Sequence, residues 1–215
     1  MQVDSKNLKR ENSPLWQEPT RWQGGILIYR AIVWGSREQV SFKELIEVWN
    51  SKIRKCDVSI MLANVINESA RMPYIARYEI GQHYDNPYFM GGQYFKKPTD
   101  EFECTSFGLF QPMGFHLVPK HLPEQCENPF AEFSLEKQMD WFDEFMFACF
   151  KNSRRIFSRG SLFQIVYGAI AGYAGNPYWH SWIIDKKVKT WEKVENKDLL
   201  FLQSVGFTQE EIDLL

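Results

Sequence analysis

The chain of 215 residues has few cysteines and histidines, almost no net charge and no long apolar run, and each absence excludes something. Its best apolar stretches, Gly25 to Tyr29 and Ala31 to Trp34, fall far short of the ~18 residues that a membrane span requires, so no membrane span is expected. The opening residues, MQVDSKNLKRENSPLW, hold no apolar core of the kind a secretory signal uses, so no signal peptide is expected. The four cysteines (Cys56, Cys104, Cys126 and Cys149) are widely spaced and form no CxxC pair. Among the four histidines the nearest pair, His116 and His121, stands beside Pro119 and Pro123. Neither set has the spacing of a metal site, so free thiols, no metal and no cofactor are expected. With 25 basic against 27 acidic residues the chain lacks the long-range pull of a nucleic-acid-binding domain, and nucleic acid is not an expected partner.

What the chain has in excess is aromatic surface: Phe 17, Tyr 9 and Trp 8, 16% of all residues. That much flat apolar area serves either a core or a ligand that stacks.

Residues 1 to 40 are polar and then mixed, broken by Pro14, Pro19 and Gly24-Gly25, and read as an extended arm packing on a domain. Ser41 with Glu44 has the form of a capping box ahead of Phe42, Leu45, Ile46 and Trp49 at helical spacing. Asp57 reads as the N-cap of a second helix that is apolar nearly all round, from Val58 to Ile66, and such a helix is buried. The alternation from Tyr74 to Ile80 predicts a short hairpin within 73–103, followed by irregular loop. Residues 104–114 read as a glycine-punctuated turn into a short helix. Ser134 reads as the cap of a helix with Leu135, Met139, Phe142, Phe145, Met146 and Cys149 on one face, and a further buried helix is predicted over 161–173 with Leu162, Ile165, Val166, Ala169 and Ile170. Two short helices, 196–205 and 208–215, close the chain, the second opened by a Thr208/Glu211 capping box. The fold class is therefore mainly α (α+β), a helical domain with a small β-hairpin element. Its organisation is an arm (1–40), a central domain (41–185) and a C-terminal helical extension (186–215). Arg154, Arg155 and Arg159 read as helix-end residues, with anionic wall polymers as an alternative partner.

Glu68 is the anomaly: a carboxylate near the end of an all-apolar helix. Burial of a carboxylate is costly unless it is paired or protonated, and partial desolvation at a cleft wall is what a general acid uses. The plain alternative is an ion pair with Arg71 or Arg77. Three segments occur in order: Glu68-Ser69 after one buried helix, Thr105-Ser106-Phe107-Gly108-Leu109-Phe110-Gln111-Pro112-Met113-Gly114, and Gly172-Tyr173-Ala174-Gly175-Asn176-Pro177 after another. Together they resemble the signatures of the lysozyme-like lytic transglycosylases (SLT-type) over about residues 57–180.

The resemblance implies a lysozyme-like domain acting on peptidoglycan glycan strands. Glu68 matches the single catalytic acid/base, which protonates the oxygen between N-acetylmuramic acid and N-acetylglucosamine and then takes the proton of the muramoyl C6 hydroxyl. The product is a 1,6-anhydro end. Ser69 matches the serine that helps hold the local turn. Gly108, Leu109, Phe110 and Gln111 match the Gly-Leu-Met-Gln segment, whose backbone and Gln side chain line the sugar groove, with Phe110 in place of the usual Met and Ser106 as the serine ahead of it. Tyr173 matches a tyrosine that hydrogen-bonds near the carboxyl. Ala174 stands where Asn is usual, and Asn176 is the nearby substitute.

A hydrolase using water needs a second carboxylate, ~5–5.5 Å away if retaining and ~6.5–9.5 Å if inverting. Glu79, Asp85 and Asp100 are candidates, and Glu79 is favoured, with an ion pair to Arg77 or Arg71 as its plain alternative. Tyr84, Tyr88, Phe89, Tyr94 and Phe95 read either as loop packing or as a sugar-stacking rim. The resulting expectation is a lytic transglycosylase, phage-encoded. It acts on the wall as an endolysin, held in the host cytoplasm until a holin releases it, or as a virion component bound to other virion proteins. Its alternatives are a muramidase using Glu68 and Glu79, and a non-catalytic glycan-binding scaffold. A pI near 6.1 shifts weight from free endolysin towards virion component.

Overall fold

A computed structural model of the protein describes residues 20–21, 27–28, 32–35, 38–78, 105–117, 129–174 and 182–215. The chain is mainly helical with small antiparallel sheets, and it divides into two units, Met1–Gln39 with Met72–Leu135 and Val40–Arg71 with Glu136–Leu215.

The first unit holds the β structure. β1 (Thr20–Arg21) pairs with β2 (Leu27–Ile28). A three-stranded antiparallel sheet places β4 (Ile75–Tyr78) between β3 (Ile32–Gly35) and β5 (Thr105–Phe107). Its register sets Trp34 opposite Ala76 and Ala76 opposite Phe107. Ile32, Val33 and Trp34 are strong strand formers, and the stretch within the expected arm is accordingly a strand. β4 falls where the hairpin was expected, but its partners among the described residues are β3 and β5, and the expected return strand lies outside them. After β5 the chain turns into α3 (Gly114–Leu117), and α4 (Pro129–Glu132) carries Phe130, whose ring meets Tyr74 and Phe107 edge-on at 5.9 and 6.2 Å.

The second unit is helical. In α1 (Phe42–Asn50) the Ser41 hydroxyl accepts from the Glu44 N–H at 3.1 Å, and Phe42, Leu45, Ile46 and Trp49 are buried, as their spacing predicts. α2 (Val58–Glu68) is buried continuously from Ser59 to Val65. Asp57 occupies its N-cap position with extended backbone, but its side chain makes no cap hydrogen bond. α5 (Leu135–Ile156) buries Met139, Phe142 and Met146 and carries Arg154 and Arg155 in its last turn, where they complement the helix dipole. α6 (Leu162–Tyr173) opens with a full capping box, Ser161 with Gln164. Its first residue, Leu162, is 66% exposed, so the buried stripe begins a turn later, at Val166.

The sequence reading passed over α7 (Trp182–Glu195), and this is the largest omission. α7 packs on both α2 and α6. Residue 186, where a C-terminal extension was expected to begin, lies inside this helix. The penultimate helix is shorter than expected, α8 (Leu199–Ser204), because Lys197 is left-handed at φ 51° and the Asp198 carboxylate caps the helix from the Phe201 N–H at 3.0 Å.

α9 (Gln209–Asp213) shows how the C-terminus is held. Phe207 stacks on Phe42 with ring centroids 3.5 Å apart. Glu211 Oε2 accepts from the Thr208 N–H at 2.8 Å, completing the expected box, while Oε1 accepts from the Lys43 N–H at 2.9 Å. One carboxylate thus satisfies orphan donors at the N-termini of α9 and α1. Burial alone would raise the Glu211 carboxyl, but the Thr208 and Lys43 N–H groups outweigh it and hold the group below its ordinary value. The folded state therefore binds this proton less tightly than the unfolded chain. The stabilisation is present above the ordinary carboxylate range and is lost as pH falls through the depressed folded value. Glu211→Gln is expected to lower stability by about 1–2 kcal/mol at pH 7, and the gap to wild type to close under acid, as read by urea denaturation at pH 7 and pH 3.

Candidate functional site

α2 ends in a concentration of unusual features. Glu68 is its last residue, and the Ser69 N–H bonds back to the Val65 carbonyl at 3.3 Å. The Ser69 side chain is 4% exposed, and its hydroxyl has no hydrogen-bond partner among the described residues. Buried hydroxyls without partners are uncommon in native proteins. The next two residues, Ala70 and Arg71, are both left-handed, with φ of 49° and 70°. Each left-handed non-glycine residue costs roughly 1–2 kcal/mol, and such strain gathers at functional sites. Ala70→Gly is expected to raise the unfolding free energy by about 0.5–1 kcal/mol, since relief of strain outweighs the entropy of glycine. Thermal unfolding reads the change, and an unchanged or lowered midpoint would mean that the turn is unstrained.

The partner of Glu68 is Lys187, on α7. Its ammonium donates to Glu68 Oε1, and both side chains are largely buried, at 9% and 16% exposure. Lys187 sits on an apolar stripe with Ile184, Val188, Trp191 and Val194. A lysine on such a stripe needs a counter-ion, as does a carboxylate on α2, and each supplies the other. Arg71 is engaged elsewhere: its guanidinium stands over the Phe42 ring at 4.5 Å. Glu68 Oε2 has no hydrogen-bond partner among the described residues.

Tyr173 completes the cluster from the end of α6. The Lys187 ammonium lies 5.4 Å from the centre of its ring, and Trp141, Phe142 and Phe145 of α5 surround that ring edge-on at 6.4, 5.6 and 5.9 Å. Burial first, then the Glu68 carboxylate and to a lesser degree Cys149, pushes the Tyr173 phenol well above its ordinary value. At neutral pH it is a protonated hydrogen-bond donor close to a carboxylate. Glu68 and Tyr173, matched separately in the sequence, thus meet in one place within the second unit. Lys187 was missed, although a lysine four residues before Trp191 on an apolar face was a readable signal.

The Ser106–Gln111 turn belongs to the first unit. Gly108 and Gln111 are both left-handed, at φ 68° and 51°. The Ser106 hydroxyl donates to Gln111 Oε1 at 2.8 Å, and Gln111 Nε2 donates to the Gly108 carbonyl at 2.6 Å. The Phe107 N–H bonds the Pro112 carbonyl, and the Gly108 N–H bonds the Ile75 carbonyl. The Gln111 amide is therefore engaged within its own turn. Leu109 and Phe110 are 0% and 1% exposed, so their side chains serve the core and offer no surface to a sugar. Phe110, expected to keep an apolar wall where Met is usual, is thus buried instead.

Glu79 and Asn176 lie outside the described residues, as do Asp85, Asp100, Tyr84, Tyr88, Phe89, Tyr94 and Phe95. Among the described residues no group of three or more His, Cys, Asp and Glu side chains is gathered as a metal site would be. Cys56 and Cys149 are free, and their thiols are pushed up to about 12 and about 11, Cys56 by burial and then Asp143, Cys149 by burial. Neither is a nucleophile at neutral pH. No protein-family model, curated protein or solved structure matches the chain.

Proposed function

We propose that the protein is a lytic transglycosylase of lysozyme-like fold that cleaves the β-1,4 bond between N-acetylmuramic acid and N-acetylglucosamine, with Glu68 as acid and base. The meeting of Glu68 with Tyr173 carries this reading. Two residues far apart in the chain are joined through Lys187, whose ammonium bonds Glu68 and stands 5.4 Å from the centre of the Tyr173 ring, beside a strained turn and a buried hydroxyl that has no partner among the described residues.

In the proposed reaction Glu68 takes up a proton from the Lys187 ammonium that donates to it and passes it to the glycosidic oxygen as the bond to the muramoyl C1 breaks. The C6 hydroxyl oxygen then bonds to C1, and its proton returns to Glu68. Water is not consumed, so no second carboxylate is required. The Tyr173 phenol, held protonated, donates a hydrogen bond to the carboxylate or the reacting sugar. Within this reading Ser69 supplies a buried hydroxyl next to the acid, and Asn176 a sugar contact. The setting is phage lysis or wall penetration, with glycan strands as partner. Among the described residues no helix is long and apolar enough to cross a membrane.

A second reading, a non-catalytic lysozyme-like glycan-binding or virion scaffold, is favoured by the ion pair itself, because a Glu68–Lys187 tie between two packed helices also has a purely structural use. Purified sacculi separate the two. Release of soluble muropeptides supports the enzyme, and binding without release supports the scaffold.

A further inference from the structure

The second unit contains a cavity of about 430 Å³ at the end of α2 opposite Glu68. Pockets that take small ligands span about 300–1,000 Å³. Ile60, at this end of α2, is eight residues before Glu68, or ~12 Å along the helix, so the cavity is separate from the cluster described above.

Its apolar lining includes Ile60, Phe147, Phe150, Val166 and Trp191, with the exposed Leu162 beside them. Its charged lining is asymmetric. It holds Lys55, Lys151 and Arg154 with Asp57 and Glu195. Two of the cations share one ring, with Lys55 Nζ 5.5 Å and Lys151 Nζ 4.7 Å from the centre of Phe147. Arg154 lies three residues beyond Lys151 on α5, on the same side of the helix. None of the three side chains is paired with a carboxylate among the described residues. Two cations held over an aromatic ring beside an apolar pocket, with no ion pair among the described residues and one positive charge in excess of the lining acids, complement a ligand with a negative head and an apolar body.

We propose that this cavity binds a small amphipathic anion, a carboxylate on a hydrocarbon or aryl body. The body lies against Phe150 and Leu162 over the deeper Ile60, Val166 and Trp191, and the head group lies among Lys55, Lys151 and Arg154. The acids Asp57 and Glu195 disfavour a second negative charge, so a monoanion fits and a polyanion does not.

Isothermal titration of the whole protein with decanoate, decanol and decyltrimethylammonium tests the site. The expected result is saturable one-to-one binding of decanoate, decanol at least about ten-fold weaker, and no binding of the cation. Lys151→Gln and Arg154→Gln, both at exposed positions, are each expected to weaken decanoate by about 3–10-fold, and added salt to weaken it further. Val166→Phe, which fills the cavity, abolishes binding while circular dichroism stays that of wild type. The proposal is overturned by no saturable decanoate binding, by equal affinity for decanol, or by wild-type affinity in both charge variants or in Val166→Phe. Because this binding is read without glycan cleavage, its failure leaves the proposed activity untouched, and the converse holds as well.

Discussion

Glu68→Gln is expected to lower the rate of sacculus solubilisation by about 10²–10⁴-fold, the usual contribution of a general acid/base. The substitution keeps the size of the side chain and removes the exchangeable proton. It also leaves the Lys187 ammonium facing a neutral amide, so a loss of activity must be separated from a loss of fold. The double variant Glu68→Gln/Lys187→Met does this by removing the orphaned charge together with the acid. It should be as inactive as the single variant and better folded. A Glu68→Gln protein that solubilised sacculi at the wild-type rate would reduce Glu68 to one half of a helix tie.

The second large effect is on stability. Lys187→Met keeps the apolar stem on the stripe formed by Ile184, Val188, Trp191 and Val194 but strands a largely buried carboxylate. Breaking a buried pair in this way costs about 3–5 kcal/mol, whereas removing both partners is often close to neutral. Denaturant unfolding of wild type, both single variants and the double variant therefore gives a strongly non-additive cycle, with the double variant more stable than Lys187→Met. Additive effects would mean that the two groups act independently and that solvent satisfies Glu68.

Much of the second unit was legible in the sequence because its helices advertise themselves. The spacing Phe42, Leu45, Ile46, Trp49 and the all-round apolarity of Val58 to Ile66 have one stable solution each, a one-sided helix and a buried one. The Thr208/Glu211 box was equally readable, but its second use, capping α1 through the Lys43 N–H, was not, since no local pattern records a contact between residues 168 positions apart. α7 was passed over because its stripe is interrupted by four lysines and the polar Asp185, Thr190 and Glu192, and period was read from apolar residues alone. Treating Lys187 as a stripe position would have revealed both the helix and the counter-ion of Glu68. Asp143 shows the same limit: it is 5% exposed and satisfied by the Lys55 and Cys56 N–H groups at 2.8–3.0 Å, a role only the fold assigns. At the Gly108–Gln111 turn, residue identity was read as ligand contact, whereas the fold spends Leu109 and Phe110 on burial and the Gln111 amide on the turn itself.

The most direct test is mass spectrometry of the soluble fragments released from purified sacculi by the wild-type protein and by Glu68→Gln. The proposed chemistry, in which the C6 hydroxyl and not water attacks C1, predicts 1,6-anhydromuropeptides from the wild type and none from the variant. Reducing muropeptides would assign the nucleophile to water and turn attention to Glu79, and sacculi left intact by the wild-type protein would contradict the account.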